Sequence, residues 1–402
     1  MTYVDTRTLL RRSQLVGVIE TVCETLELSP SQFEAAKSRY EGVGGWLAQS
    51  DDPLLASIAV GLQGSVAIGT TVKPIGANEH DVDLVAHVPN LDVAISPGAL
   101  KGSIGRRLRG NGNYVPLLEE MPRCWRLNYA NEFHMDITPS IPNPLCRLGG
   151  ELVPDKALKS WKASNPKGYR ALFDRRASLL PRIRVSKRGT AFDSMRADAD
   201  IEPFPESTSF KGILRRTVQI AKRNRDVRFI DSDPCLAPLS VIITTLASRA
   251  YEFCVSRFEY DSELELLCDV VRHMPDTIQT GTIGRQTTWY IWNETTEGEN
   301  FAEKWNKYPE RAAAFFAWHA RVVSDLERLA TAEGLDELRR LLGGVFGGGP
   351  AARAMDAMTE RVTAARTSGR LSVARGGGLL VGTQAASTSV RANTFFGGIV
   401  SS

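Results

Sequence analysis

Three aspartates carry the chemistry that this sequence offers. Asp81 and Asp83 stand two positions apart in His80-Asp81-Val82-Asp83-Leu84-Val85, and Asp136 lies in Phe133-His134-Met135-Asp136-Ile137-Thr138-Pro139. Alternate side chains of a strand share a face, so Asp81 and Asp83 point one way while Val82 and Leu84 point the other. Two carboxylates held that close repel, and without a partner one of them takes up a proton. A divalent cation removes the conflict, and hard oxygen ligands favour Mg²⁺ or Mn²⁺. Asp136 supplies the third carboxylate that a pair of ions needs. With two ions about 4 Å apart, one activates an attacking hydroxyl and the other steadies the leaving group. Gly64-Ser65, opening the stretch Gly64-Ser-Val-Ala-Ile-Gly-Thr70, adds a phosphate-binding turn. Glycine lets backbone N–H groups approach closely, and the serine hydroxyl can donate.

These residues need strands to hold them. Short apolar runs bounded by Gly and Pro, at Leu55 to Leu62, Val82 to Val88 and Phe133 to Ile137, read as strands. Helices precede them. Apolar positions Leu9, Leu10, Val16, Val18 and Ile19 mark the first, and Ser31-Gln-Phe-Glu34 reads as a capping box for a second that runs toward Trp46 and stops at Asp51-Asp52-Pro53. From about Ser209 the pattern turns helical: 210–224, 238–256, 262–273, 301–332 with a break at Pro309, and 335–342. One more helix is expected near 351–367. This order of elements predicts an α+β unit followed by a helical one.

The chain has 402 residues, 43% of them hydrophobic and 24% charged, which suits two packed units. No run of 18 apolar residues exists to form a membrane span, and Met1 to Cys23 lacks the continuous apolar core of a signal peptide. The six cysteines form no CxxC pair and read as reduced thiols, so a cytoplasmic protein is expected. Net charge is only +3, but Lys211 to Arg228 holds seven basic residues against one acid, Asp226. Such local charge suits a phosphate-bearing ligand. At 100° per residue Lys211, Arg215 and Lys222 share one helix face, and Leu214, Val218 and Ala221 share another.

GSxxxGT, DVDLV and FHMDITPS together resemble the polymerase-β-like nucleotidyltransferase superfamily. Within it, Ser164-Asn-Pro-Lys-Gly-Tyr169, the basic stretch Leu214 to Asp226 and Pro238 to Leu246 resemble the bacterial cGAS/DncV-like nucleotidyltransferases of CBASS anti-phage signalling. The resemblance covers roughly residues 30–340. It implies a mixed sheet with flanking helices packed against a C-terminal helical domain, with nucleotides in the cleft between. The catalytic unit, with its N-terminal helices, would span 1–205 and the closing helical domain 206–345. A helix and a flexible Gly/Ser/Thr-rich tail would occupy 346–402. By resemblance Asp81, Asp83 and Asp136 hold two Mg²⁺ or Mn²⁺ ions, Gly64 and Ser65 bind triphosphate, and Lys222 and Ser240 contact phosphates from the helical side. The implied activity joins NTPs, ATP or GTP among them, into a cyclic di- or trinucleotide second messenger that acts on a downstream effector.

Two other functions stay open on these residues: transfer of nucleotides to RNA, a protein or a small molecule, and nucleotide or RNA sensing without turnover. His134 is assigned to the strand face opposite Asp136, as a packing residue, and His80 and His87 flank the acidic strand. Arg106-Arg107 and Arg182-Ile-Arg184 read as solvated pairs, while Trp125, Trp161 and Tyr169 read as core aromatics with some capacity to stack on a base. Asn393-Thr-Phe-Phe-Gly-Gly398 resembles the C-terminal endings of cyclases that a ubiquitin-transfer-like accessory enzyme conjugates to targets, although Ile399-Val-Ser-Ser402 follows the glycines here.

Overall fold

The computed structural model describes residues 6–76, 80–130, 132–184 and 211–368, with short segments at 371–374, 379–381 and 387–389. Helices α1 (Thr6–Glu24) and α2 (Pro30–Ala48) come first. The capping box of α2 lies two residues earlier than the sequence suggests. Ser29 is the N-cap, with its hydroxyl bonded to the Gln32 N–H and the Gln32 side chain returning to Ser29 N–H. Pro30 explains the shift, because its fixed φ and missing N–H suit the first helical position.

The expected mixed sheet forms from β1 (Ala59–Gln63), β2 (His80–His87), β3 (Leu118–Glu120), β4 (Trp125–Tyr129) and β5 (Phe133–Pro142), in the order β1-β2-β5-β4-β3. β2 and β5 run parallel, whereas β1 and β4 flank them antiparallel. Strands β6 (Glu151–Pro154) and β7 (Trp161–Ser164) extend from β5. One face of the sheet presents Val82, Leu84, Leu127, Met135 and Ile137 to Tyr40, Val43 and Leu47 of α2 and to Leu100, Ile104 and Leu108 of α4 (Pro97–Arg109). Burying each such side chain contributes about 1.5–3 kcal/mol. The opposite face is left for polar work. A four-residue helix, α3 (Gly64–Ala67), follows β1, and α5 (Pro166–Ala177) follows β7.

The second body is helical: α6 (Gly212–Arg228), α7 (Ser240–Arg257), α8 (Glu263–His273), α9 (Glu303–Lys307), α10 (Pro309–Thr331), α11 (Leu335–Phe346) and α12 (Gly348–Thr367). Pro309 opens α10, so the break expected there is present. The apolar face read from α6 holds, since Leu214, Val218 and Ala221 are buried at its centre. α1 packs in this helical core through Leu15, Ile19 and Val22, not with the sheet that it precedes in sequence. A hairpin, Gln279–Ile283 with Gln286–Tyr290, interrupts the helices and was not signalled by periodicity. Within the stretch expected to be a flexible tail, Leu371–Ala374 pairs with Leu379–Val381 and Ser387–Ser389. The ending Asn393 to Gly398 lies outside the described residues.

Candidate active site

Pairing of β2 with β5 sets Asp83 opposite Asp136 and Asp81 opposite His134. Paired residues of neighbouring strands share a face, so Asp81, Asp83 and Asp136 project together from the polar side of the sheet. His134 is there too. Two residues before Asp136 on one strand means the same face, so its assignment to the opposite face is wrong, and its charge acts on Asp81. From β4, Arg126 stands opposite Asp136 and grips it bidentately, Nε to Oδ1 at 2.6 Å and Nη2 to Oδ2 at 2.8 Å. Nothing in the sequence singled out Arg126; only the strand register places it there.

The acids strain against one another. Burial, followed by the charges of Asp81 and Asp136, pushes Asp83 up to about 7. Burial and Asp136 also raise Asp81, against the pull of Arg126. One guanidinium does not compensate three carboxylates. An all-oxygen, over-charged donor set of this kind fits hard divalent cations.

Register also brings the Gly-Ser turn to this point. Gln63 pairs with Asp83 across β1 and β2, so the residue after Gln63 must pass beside that carboxylate. Gly64 does so at φ +67°, and a Cβ there would lie 2.1 Å from Asp83 Oδ2. Only glycine is accommodated. Ser65, at the start of α3, faces the same cleft, whose volume is about 880 Å³ and whose lining includes Gly64, Ser65, Asp81, Asp83, Lys222 and Ser240. That volume lies within the roughly 300–1,000 Å³ of small-ligand sites.

The helical body forms the other wall. Lys222 is buried and donates from Nζ to Thr70 Oγ1 at 3.0 Å, which ties α6 to the loop that follows Ser65. Burial, helped by Arg225, brings Lys222 down to about 7. Ser240 begins α7, and Arg225 Nη1 donates to its hydroxyl at 3.0 Å. The N-terminus of this long helix directs backbone N–H groups and positive dipole toward the cleft, which suits phosphate. The rest of the basic stretch is not a phosphate surface. Lys211 pairs with Glu27, Arg215 with Asp174, Arg216 with Glu20 and Glu27, and Arg228 with Asp325. Those charges stitch the helical body together.

Several other candidates are structural. Arg107 lies over the Trp46 ring at 3.7 Å and bonds the carbonyls of Trp46 and Gln49, so it is not merely solvated. Arg184 joins Glu259 and Asp261, Trp125 is core, and His87 bonds Ser140. All six cysteines are free thiols. Among the described residues, Cys254, Asp269 and His273 cluster closely enough to hold a metal, but none lines the cleft. Donors already satisfy that aspartate: Tyr260 at 2.9 Å and Arg272 at 2.6 Å. Tyr169 and Phe301 do line the cleft, their rings 6.1 Å apart. Glu299, which no sequence signal marked, lines it as well.

Residues 15–176 match the family described as the Second Messenger Oligonucleotide or Dinucleotide Synthetase domain. A c-di-GMP synthase of Roseivirga ehrenbergii is 30% identical over 389 residues, which span 96% of this chain and 98% of the relative. The cyclic dinucleotide synthase CdnG of Bradyrhizobium diazoefficiens is 25% identical over 91% of this chain and 88% of its own length. The solved structure of CdnG from that organism in complex with GTP shares the fold, with a TM-score of 0.64 at 22% identity over 86% of this chain and 99% of that one.

Proposed function

The chain belongs to the bacterial cGAS/DncV-like nucleotidyltransferases, the synthetases of second-messenger oligonucleotides, and from that premise we propose that Asp81, Asp83 and Asp136 form its catalytic centre. The enzyme is a nucleotidyltransferase that makes a cyclic dinucleotide from nucleoside triphosphates in CBASS-type signalling. Divalent metal dependence belongs to the family, and the pair of Mg²⁺ or Mn²⁺ ions at the three aspartates is part of our proposal. The relative named c-di-GMP synthase favours guanine nucleotides as substrates.

The observation that carries the reading is the register that sets Asp83 against Asp136 with Gly64 packed on Asp83. In each transfer a ribose hydroxyl attacks the α-phosphorus of a second nucleotide, the new O–P bond forms and pyrophosphate departs. Bound divalent ions supply charge neutralisation and hydroxyl activation. The protein's own groups position the reactants. Gly64 and Ser65 take the triphosphate from the sheet side, and Lys222 and Ser240 take it from the helical side. Arg126 fixes the Asp136 carboxylate in one orientation. The linear product turns round in the cleft and a second transfer closes the ring. Most of the acceleration comes from positioning and preorganised charge.

Mass spectrometry of the products from purified protein, mixed NTPs and Mg²⁺ or Mn²⁺ tests this. A phosphatase-resistant cyclic dinucleotide is expected. Nucleotides attached instead to RNA, protein or a small molecule would refute it. Conjugation of the C-terminus to a target by a ubiquitin-transfer-like enzyme belongs to the proposal as a separate step, read as an adduct by intact-mass analysis after co-expression. Among the described residues no helix is long and apolar enough to cross a membrane.

A further inference from the structure

We infer that Glu299 reads the base of a bound nucleotide and selects guanine. The inference rests on the cyclic-dinucleotide reading above.

Four acidic residues line the cleft: Asp81, Asp83, Asp226 and Glu299. The first two belong to the aspartate cluster. Asp226 is neutralised by Arg225 at 2.7 Å. Glu299 forms no ion pair among the described residues. Its Oε2 accepts from Asn293 Nδ2 at 2.7 Å, and no described residue donates to Oε1. Arg123 and Lys162 influence it from beyond contact, and burial raises it above the usual glutamate range. A half-buried carboxylate kept short of donors in a substrate cleft is suited to a ligand that brings donors.

Its mounting is rigid. Asn293 is oriented by donors at its Oδ1, from Thr295 N at 3.0 Å and Thr295 Oγ1 at 2.8 Å, which leaves Nδ2 for Glu299. The Asn293 N–H donates to the Glu299 carbonyl at 2.9 Å, closing the loop on itself. Asn165 Nδ2 donates to Thr295 O at 2.6 Å, which locks this loop to the end of β7 and so to the sheet that carries the aspartates. Ser164, Asn165 and Phe301 line the same cleft, and Phe301 offers an aromatic surface two residues from the carboxylate.

A carboxylate is an acceptor with two oxygens. Guanine carries two neighbouring donors, N1–H and the exocyclic N2–H₂, which both oxygens can accept together. Adenine offers one amine beside the bare N1 lone pair, and cytosine one amine beside a bare N3. Uracil offers a single N–H between two carbonyls. Against these bases a carboxylate meets at least one lone pair, and discrimination of this kind is strong because the mismatched site leaves buried polar groups unpaired.

The test is a competition between GTP and inosine triphosphate, which lacks only the 2-amino group, in wild type, Glu299→Ala and Glu299→Gln. Wild type should incorporate guanine over hypoxanthine by about 10- to 100-fold, and both variants should bring the ratio close to one. An inactive variant is read instead by its thermal shift with each triphosphate. Equal shifts support the inference, and a wild-type-like preference for GTP overturns it. Wild type that uses both bases equally, or prefers ATP, also overturns it. Absence of pyrophosphate release from wild type with every NTP would instead refute the underlying function.

Discussion

Two residues show how tightly the site is specified. Gly64 combines a positive φ with van der Waals overlap between any Cβ and Asp83. Gly64→Ala should therefore cost at least about 1 kcal/mol of stability and push Asp83 off its position, lowering kcat by about 100-fold or more while the fold persists. Circular dichroism and steady-state kinetics on the variant check this; unchanged kcat would mean that the contact is irrelevant to catalysis. Lys222 gives a pH dependence. Burial holds it near 7 in the free enzyme, and in the proposed role the triphosphate would bind its charged form. Triphosphate affinity should be full below pH 7 and fall as pH rises through 7, by up to about tenfold per unit. Lys222→Met should flatten that profile in a binding titration. At this scale the sequence was informative about aspartates, because DxD on a strand has a period-two meaning, and uninformative about Arg126 and Glu299. Those two acquire a role only through cross-strand register and a long loop, which leave no local pattern.

At the scale of elements, α6 is the piece whose role differs most from its composition. Seven basic residues from Lys211 to Arg228 suggested a ligand-facing surface, yet only Lys222 and Arg225 of that stretch line the cleft. Arg216 is buried and bonds Glu20, Glu27 and Gln219, fastening α1 to the helical core. Removing it strands the Glu20 carboxylate, while Glu27 keeps Lys211 and Gln219. Arg216→Met should destabilise the protein by about 3–5 kcal/mol, and adding Glu20→Gln should recover part of that loss in thermal melts. No recovery would show that packing, not charge, holds α1. Helix positions were legible because 3.6-residue periodicity and Pro309 are local signals. The docking of α1, the hairpin after residue 279 and the capping box at Ser29 were not, since each depends on partners distant in sequence or on proline geometry.

For the whole molecule, the proposed reaction requires two bodies that face each other across one cleft. The sheet supplies acids and the Gly-Ser turn, and the helical body supplies Lys222, Ser240 and Glu299. The change of periodicity near residue 209 was readable in the sequence, whereas the packing of α1 in the helical core was not. Pyrophosphate release tests metal-dependent transfer at the aspartates, measured on wild type and on Asp81→Ala/Asp83→Ala with Mg²⁺ or Mn²⁺ and again after chelation. Wild type should release pyrophosphate and stop on chelation, and the double variant should release none above background. Sustained release from the double variant would contradict transfer at the aspartates.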